Sequence, residues 1–259
     1  MSAPAAPRVE INGLAPTADG LTAAVVAGYG HFTAMQVRDG RTRGLELHLS
    51  RLDAANRELF GAGLDGEMVR DYIRHALGSD IKDASVRVIV QRPADQEPVS
   101  VLVTVRPPAT WAASQISLQS VPYQRSVAHI KHAGDFGQSY YGRLAQLNGF
   151  DEAALTGPDG LISEGSITNI GFFDGTCVVW PAAPMLQGIT MQLVRTGLAR
   201  PQQDRPVRLA DLGSFTSVFV TNSRGVAAVS RIDDRELPVD AVFMKELTDC
   251  YESAPWHRI

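Results

Sequence analysis

Residues 131–169 of this 259-residue chain read KHAGDFGQSYYGRLAQLNGFDEAALTGPDGLISEGSITN, and they hold several short motifs in a fixed order. Lys131 comes first. The motif GFDEA follows at residues 149–153, and the turn pair Asp159-Gly160 comes next. The motif EGS at residues 164–166 is followed three residues later by Asn169. Several motifs in one order identify a family more specifically than any one of them alone.

This order of motifs resembles the class IV aminotransferase family, which includes branched-chain and D-amino-acid aminotransferases and aminodeoxychorismate lyase. The family pattern is a Schiff-base lysine, a helix with small residues, G-x-D-E-A, a D-G turn and E-G-S-x-x-N. The resemblance implies an α+β fold with two domains, like that of D-amino-acid aminotransferase, and pyridoxal 5′-phosphate as the cofactor. It also implies that Lys131 carries this cofactor as a Schiff base and is the catalytic general base and acid.

The small number of lysines in the chain also favours Lys131 as a catalytic candidate. The chain contains only three lysines, Lys82, Lys131 and Lys245, and uses arginine for its other basic side chains. An amine can lose a proton and attack a carbonyl, whereas a guanidinium stays charged. A lysine retained in such a sequence is therefore a candidate for chemistry, and composition narrows the choice to three positions.

Further residues resemble family contacts to the cofactor. Glu164 matches the glutamate that faces the pyridine nitrogen and keeps it protonated. Three segments resemble contacts to the cofactor phosphate, where donors and positive charge are needed. They are HLSRL at 48–52 with Arg51, GIT at 188–190 with Ile189 and Thr190, and TNS at 221–223 with Asn222 and Ser223. We expect Thr190 to be the N-cap of a helix.

The predicted substrate contacts are Arg92, Thr33 and Tyr29. Arg92 resembles an arginine that binds the substrate carboxylate in some family members. Thr33 stands where many members have an acidic residue after an aromatic residue in a strand.

Tyr29 is a candidate to replace a tyrosine hydroxyl that members of the family supply from other positions in their sequences. Branched-chain members have a tyrosine five residues after the lysine, where this chain has Phe136. D-amino-acid members have a tyrosine in a strand of the first domain, where this chain has Phe32. Tyr140 and Tyr141 are the other candidates to replace it.

Hydrophobic periodicity predicts two domains that separate near RPPAT at residues 106–110, a stretch that continues neither helix nor strand. The expected boundaries are a smaller N-terminal α/β domain at 1–108, a linker at 109–114 and a larger domain at 115–259 that carries Lys131. The predicted helices are 45–59, 67–77, 139–148, one beginning at 190, and 241–251. The predicted strands are 28–37, 86–91, 99–105, 116–121, 153–156, 167–173, 176–180, 218–221 and 226–229.

Composition bounds the partners of the protein. A net charge of −4 and a pI near 5.9 give no reason to expect nucleic acid or an anionic membrane as a partner. No apolar run approaches the length of a bilayer span, the first residues lack a signal-peptide pattern, and Cys177 and Cys250 belong to no metal motif. We therefore expect a cytoplasmic protein without a metal. The family resemblance implies an enzyme that acts on a small-molecule amino donor and a 2-oxo acid. The resemblance adds a homodimer.

Three functions remain open at this point. The first is transfer of an amino group between an amino acid or amine and a 2-oxo acid. The second is an aminodeoxychorismate lyase that releases pyruvate, towards which Phe32-Thr33, Lys131-His132 and residues 221–223 lean. The third is a cofactor-free relative that serves as a binding protein, against which Lys131, Glu164 and Arg51 argue.

Overall fold

The computed structural model describes residues 7–26, 28–92, 98–113 and 115–259. The chain forms two compact units. The first contains the chain up to Ala109 together with Ile130–Gly134 and Pro255–Ile259, and the second contains Thr110–His129 and Asp135–Ala254. Helices and sheets occur in both units, in agreement with the predicted α+β class.

A four-stranded antiparallel sheet forms the centre of the first unit, in the order β1-β5-β4-β2. The strands of this unit are Arg8–Ile11 (β1), Gly30–Val37 (β2), Arg41–Arg43 (β3), Ala84–Gln91 (β4) and Ser100–Arg106 (β5). Asp39 and Gly40 have φ angles of 48° and 66° in the tight turn between β2 and β3. Every second side chain of β4 from Ala84 to Val90 is buried, as a strand with one core face requires.

Within the described residues, the α-helices of the first unit are Ala18–Val26 (α1), Leu45–Phe60 (α2) and Gly66–Leu77 (α3). α2 lies between two glycines with positive φ, and the N–H of Gly61 donates to the Arg57 carbonyl at 2.9 Å. Asp65 is the N-cap of α3, and its carboxylate accepts from the Glu67 N–H at 2.9 Å. The apolar faces of α2 and α3 pack with the valines of β4 and β5 in one core.

A nine-stranded mixed sheet forms the second unit, in the order β11-β10-β9-β12-β13-β6-β7-β8 with β14 beside β13. Its strands are Gln115–Pro122 (β6), Glu152–Thr156 (β7), Ile162–Gly165 (β8), Asn169–Phe173 (β9), Val178–Pro181 (β10), Gln202–Arg205 (β11), Ser217–Asn222 (β12), Gly225–Ile232 (β13) and Arg235–Glu236 (β14). All residues of β7, β8, β9 and β10 are buried. Because both faces of these strands are covered, their sequences show no alternation of polar and apolar residues.

The α-helices that accompany this sheet in the described part of the chain are Phe136–Leu147 (α4), Ile189–Gly197 (α5) and Ala241–Ser253 (α6). Asp240 is the N-cap of α6, and its carboxylate accepts from the N–H groups of Val242 and Phe243, both at 3.0 Å. α5 and α6 contribute Met191, Val194, Phe243 and Leu247 to a shared core. Among the described residues, no helix combines the length and apolarity that crossing a bilayer requires.

Two later segments of the chain complete the first unit. Trp256–Arg258 (β15) pairs antiparallel with β3. Ile130–Gly134 lies along β2, where the Phe32 N–H donates to the Lys131 carbonyl at 2.8 Å and the Ala133 N–H donates to the Gly30 carbonyl at 2.7 Å. These pairings place Lys131 in the first unit, whereas we expected it in the C-terminal domain. Ser114, in the expected linker, lies outside the described residues.

Candidate active site

Lys131 is held by its backbone at the edge of the first unit's sheet. A β-bridge between His31 and His132 and the hydrogen bonds of β2 fix the segment on both sides of the lysine. The side chain is half-buried, and its Nζ lies 4.7 Å from the centroid of the Phe32 ring. The main chain therefore holds Lys131 while its amine lies over an aromatic face.

Arg51, Thr33 and His48 form a hydrogen-bonded chain in the same unit. The Arg51 guanidinium donates to the Thr33 hydroxyl, and the Thr33 Oγ1 lies 2.6 Å from the His48 Nδ1. Thr33 is fully buried and His48 is almost so. Burial, followed by the positive charges of Arg51 and Lys131, holds the pKa of His48 well below its usual value, so this imidazole is neutral at neutral pH.

Arg92 and Tyr29 both meet Phe60. Arg92 donates to the Phe60 carbonyl at 3.0 Å, and its guanidinium lies 5.0 Å from the Phe60 ring centroid. The Tyr29 ring meets the Phe60 ring edge-on at 5.8 Å, and Tyr29 is 62% exposed. These two predicted substrate contacts therefore share one aromatic neighbour, whereas the hydroxyl of Thr33 is buried between Arg51 and His48.

His31 is a buried histidine of the first unit to which the sequence assigned no role. Its Nε2 lies 3.4 Å from the Asn56 Oδ1, and Asn56 donates to the Ala62 carbonyl at 2.8 Å. Burial lowers the pKa of His31 to about 4 against the opposing effect of the Asn56 hydrogen bond. His31, a residue of β2, is therefore neutral, and its side chain contacts Asn56 and Phe60 of α2.

Glu164 lies on β8 in the second unit, with its side chain almost completely buried. Its Oε2 accepts from the Leu186 N–H at 3.2 Å, and its Oε1 lies 3.5 Å from a guanidinium nitrogen of Arg125. Both side chains of this pair are 5% exposed. Burial lowers the pKa of Arg125 while the Glu164 charge opposes that change. Neither β8 nor Arg125 was predicted from the sequence.

Glu152 of the GFDEA motif hydrogen-bonds to Ser166 of the EGS motif and to the two residues that follow it, which explains why the two motifs occur together. Its Oε1 accepts from the Ile167 N–H at 2.8 Å, the Thr168 hydroxyl at 2.9 Å and the Ser166 hydroxyl at 3.4 Å. A single buried carboxylate oxygen thus holds the turn between β8 and β9. Burial raises the pKa of Glu152 to about 7 against the opposing effect of these hydrogen bonds.

Asn169 begins β9 and holds the loop that leads to α5. Its amide donates to the Leu186 carbonyl at 2.7 Å, so Glu164 and Asn169 bind the N–H and the C=O of one residue. A Cβ at Gly188 would collide with the Asn169 side-chain oxygen. Glycine at position 188 is therefore required by a close approach rather than by its backbone angles.

The start of α5 is joined to the end of β12. Gly188, not Thr190, is the N-cap, and it has no side chain to act as a cap, so the prediction for Thr190 was wrong. The Thr190 hydroxyl instead donates to the Asn222 carbonyl at 2.6 Å. The Asn222 side chain accepts from the Arg224 N–H at 2.8 Å, which forms an Asx turn through Ser223. The Ile189, Thr190, Asn222 and Ser223 positions thus form one cluster.

The aromatic residues at the expected phenol positions have different environments. Phe136 is 81% exposed and stacks on Tyr140, whereas Phe32 is buried beneath the amine of Lys131. Tyr141 packs against Tyr123, a residue that no sequence pattern indicated, with ring centroids 5.3 Å apart.

The predicted site residues therefore fall into two groups. Thr33, Arg51 and Lys131 lie together in the first unit, with Tyr29 and Arg92 around Phe60. Glu164 and the cluster at the start of α5 belong to the second unit. Within the described ranges, no group of three or more His, Cys, Asp or Glu side chains is arranged to hold a metal ion.

Comparison with known proteins gives one family match and many structural matches. Residues 30–232 match the family model described as amino-transferase class IV. No curated protein sequence matches the chain. The three structures that follow are each under 25% identical to this chain, so their likeness shows the fold, and it confirms the fold that the motifs predicted.

A hypothetical aminotransferase from Mycobacterium tuberculosis, solved in its PLP-bound form, is 22% identical with a TM-score of 0.79 over 89% of this chain and 90% of its own. A fold IV transaminase from Curtobacterium pusillum is 24% identical with a TM-score of 0.79 over 90% of this chain and 89% of its own. A putative 4-amino-4-deoxychorismate lyase from Legionella pneumophila is 17% identical with a TM-score of 0.80 over 88% of this chain and 92% of its own.

Proposed function

The chain belongs to the class IV aminotransferase family, a family of pyridoxal-phosphate-dependent transaminases, and we propose that it moves an amino group between an amino acid or amine and a 2-oxo acid. The observation that carries this proposal is the extent of the family match. Lys131, Glu164 and the start of α5 all lie inside residues 30–232. The M. tuberculosis relative, which has also been solved with α-ketoglutarate and PMP bound, supports a 2-oxo acid as one substrate.

The cluster at the start of α5 fits a phosphate group. The first N–H groups of a helix have no partner inside the helix, and the helix dipole favours an anion there. The Thr221 hydroxyl, at the end of β12, is 1% exposed and has no hydrogen-bond partner among the described residues. These donors support Ile189, Thr190, Asn222 and Ser223 as phosphate ligands. Arg51 of the first unit is proposed as a phosphate ligand separately, because the HLSRL segment resembles the family's phosphate contact and a guanidinium binds phosphate through two hydrogen bonds.

Glu164 fits the ring nitrogen of the cofactor. Its carboxylate is buried, and the Arg125 guanidinium 3.5 Å away stabilises it in the charged form. A buried carboxylate attracts a proton onto a basic nitrogen that faces it. When bound, pyridoxal phosphate supplies a reactive carbonyl and a ring that accepts electrons.

Lys131 binds the cofactor through its amine and moves the proton of the reaction. Its backbone is fixed to β2, so the Nζ can release and recover a proton while the main chain stays in place. The Phe32 ring below the amine excludes water from one side of it. Arg92 and Tyr29, which share Phe60, are the proposed contacts to substrate.

A second candidate function is a lyase that releases pyruvate. The Legionella relative, a putative aminodeoxychorismate lyase, supports it, as do Phe32-Thr33 and residues 221–223. The two functions share Lys131 and the cofactor. They are separated by supplying aminodeoxychorismate without an amino acceptor, because only a lyase then releases pyruvate.

We also propose that the enzyme is a cytoplasmic homodimer. The support for a dimer is a stripe on α4, where Phe136, Tyr140 and Leu147 are 81%, 53% and 72% exposed on one face. Contiguous exposed apolar residues mark interaction surfaces. Light scattering on the purified protein measures the mass, and a monomer at micromolar concentration would contradict the proposal.

The cofactor proposal is tested by borohydride reduction of protein that shows visible absorbance, followed by peptide mass mapping. Because the chain has only three lysines, the pyridoxyl adduct is assigned without ambiguity. We expect it on Lys131. An adduct on Lys82 or Lys245 alone would remove Lys131 from its proposed role. A colourless protein that takes up no added cofactor would support the cofactor-free binding protein instead.

A further inference from the structure

We propose that His48 is a positioning residue that holds Arg51 in place for the cofactor phosphate through the hydroxyl of Thr33. This inference rests on the proposed function, because it concerns how the phosphate ligand is held. It also assigns Thr33 a role inside the protein in place of the predicted contact to substrate.

The directions of the two hydrogen bonds follow from the chemistry of the groups. A guanidinium can only donate, so the Thr33 Oγ1 accepts from Arg51. The Thr33 hydroxyl proton is then available to the His48 Nδ1, 2.6 Å away. In the arrangement that we propose, the Thr33 hydroxyl donates to Nδ1 and His48 is neutral with its proton on Nε2; the lowered pKa of His48 agrees with a neutral ring.

The fold explains why these three residues meet. His48 and Arg51 are three residues apart on α2, so they lie on one face of that helix. Thr33 lies on β2, against which α2 packs. The HLSRL motif thus contains both the phosphate ligand and the residue that orients it.

The burial and the hydrogen bonds of Thr33 and His48 favour a positioning role over direct contact with a ligand. Thr33 is 0% exposed, and its hydroxyl already pairs with Arg51 and with the Nδ1 of His48, so these atoms are not offered to a ligand. Arg51 is only partly buried and has several rotatable bonds, whose freedom is lost when a ligand is bound. A side chain held beforehand in one conformation loses less freedom on binding, and its affinity for the anion is higher.

The test compares pyridoxal 5′-phosphate with pyridoxal, which lacks the phosphate. Dissociation constants are measured by absorbance titration of the full-length protein after removal of its cofactor. Thr33→Val keeps the shape of the side chain and removes the hydroxyl, whereas Thr33→Ser retains the hydroxyl. We expect Thr33→Val to weaken binding of pyridoxal phosphate about tenfold, with Thr33→Ser near wild type and pyridoxal unchanged in both.

A second pair of variants keeps the test valid if Thr33→Val does not fold. His48→Asn places an acceptor oxygen near the position of Nδ1, and His48→Leu removes it. We expect His48→Leu to weaken binding of pyridoxal phosphate and His48→Asn to restore most of it, with circular dichroism confirming that both variants fold.

The outcomes separate this inference from the proposed function. If the wild-type protein prefers pyridoxal phosphate but Thr33→Val and His48→Leu bind it equally well, the positioning role is refuted and the proposed function stands. Equal weakening for both ligands would also refute the role, because the hydroxyl would then act on something other than phosphate. A wild-type protein that binds neither ligand would refute the proposed function itself.

Discussion

The buried carboxyl group of Glu152 predicts an unusual dependence of stability on pH. Its pKa is about 7 in the folded protein, compared with 4.5 for an ordinary glutamate. Between these two values the folded protein keeps a proton that the unfolded chain has released. Stability contributed by this group is therefore present below pH 4.5 and is lost as the pH rises to 7.

The size of the loss follows from the two pKa values. A rise from 4.5 to about 7 corresponds to about 3 kcal/mol of unfolding free energy, at about 1.4 kcal/mol for each pH unit. Glu152→Gln removes the titration and keeps an oxygen where all three hydrogen bonds converge. We therefore expect the variant to gain about 3 kcal/mol relative to wild type between pH 4.5 and pH 8.

The assay is urea unfolding of both proteins at several pH values from 4.5 to 8, with the difference between them plotted against pH. Other titrating groups are common to the two proteins and cancel in this difference. Glu246→Gln is the matched control. The Arg200 hydrogen bond lowers the pKa of Glu246 below 4.5, so its difference from wild type should be flat over the same range. A flat difference for Glu152→Gln would show that Glu152 is ionised in the folded protein and would refute the reasoning.

Three further substitutions test the site. Lys131→Ala should keep the fold, because the backbone carbonyl of residue 131 still accepts a hydrogen bond from β2. Turnover should fall by at least about 10²-fold, and wild-type turnover would exclude Lys131 as the catalytic residue. Glu164→Gln should still bind cofactor, since an amide oxygen can accept from the Leu186 N–H. Turnover should fall about tenfold or more, and unchanged turnover would show that the negative charge of Glu164 is dispensable. Gly188→Ala should displace the Asn169 side chain, lower the free energy of unfolding in urea by about 1–3 kcal/mol and weaken cofactor binding. An unchanged urea midpoint would contradict the close approach of residue 188 to Asn169.

Elements with a strong local signal were predicted well from the sequence. The helix expected at 45–59 is α2, Leu45–Phe60, because its apolar spacing and the flanking glycines act within a few residues of one another. The antiparallel pair β9 and β10 lies where strands were predicted at 167–173 and 176–180, with Asp174 and Gly175 between them. The family motifs were equally informative, since order and spacing can be seen without knowledge of the tertiary contacts.

Features that depend on distant partners were not predicted. β8 is four residues long and buried on both faces, so it shows no periodicity, although it carries Glu164. Lys131 pairs with β2 through backbone groups that no side-chain pattern reveals. Arg125 belongs to none of the motifs found in the sequence, and its position next to Glu164 depends on the fold of the second unit. α5 begins at Ile189 with Gly188 as its N-cap, and the Thr190 hydroxyl donates to the Asn222 carbonyl, a contact that depends on the position of β12.

The discontinuous course of the first unit bears on how the protein folds during synthesis. Ile259 is part of the core of this unit, and β15 pairs with β3 across more than two hundred residues. Contacts between such distant parts of a chain form late, because a long loop must close before they can stabilise anything. A nascent chain that ends near residue 109 therefore lacks both the segment that carries Lys131 and the final strand. Of the two units, the one whose synthesis starts earlier is thus completed later. Until then its β2 edge and part of its core remain accessible to chaperones that recognise unpaired strands and exposed apolar surface.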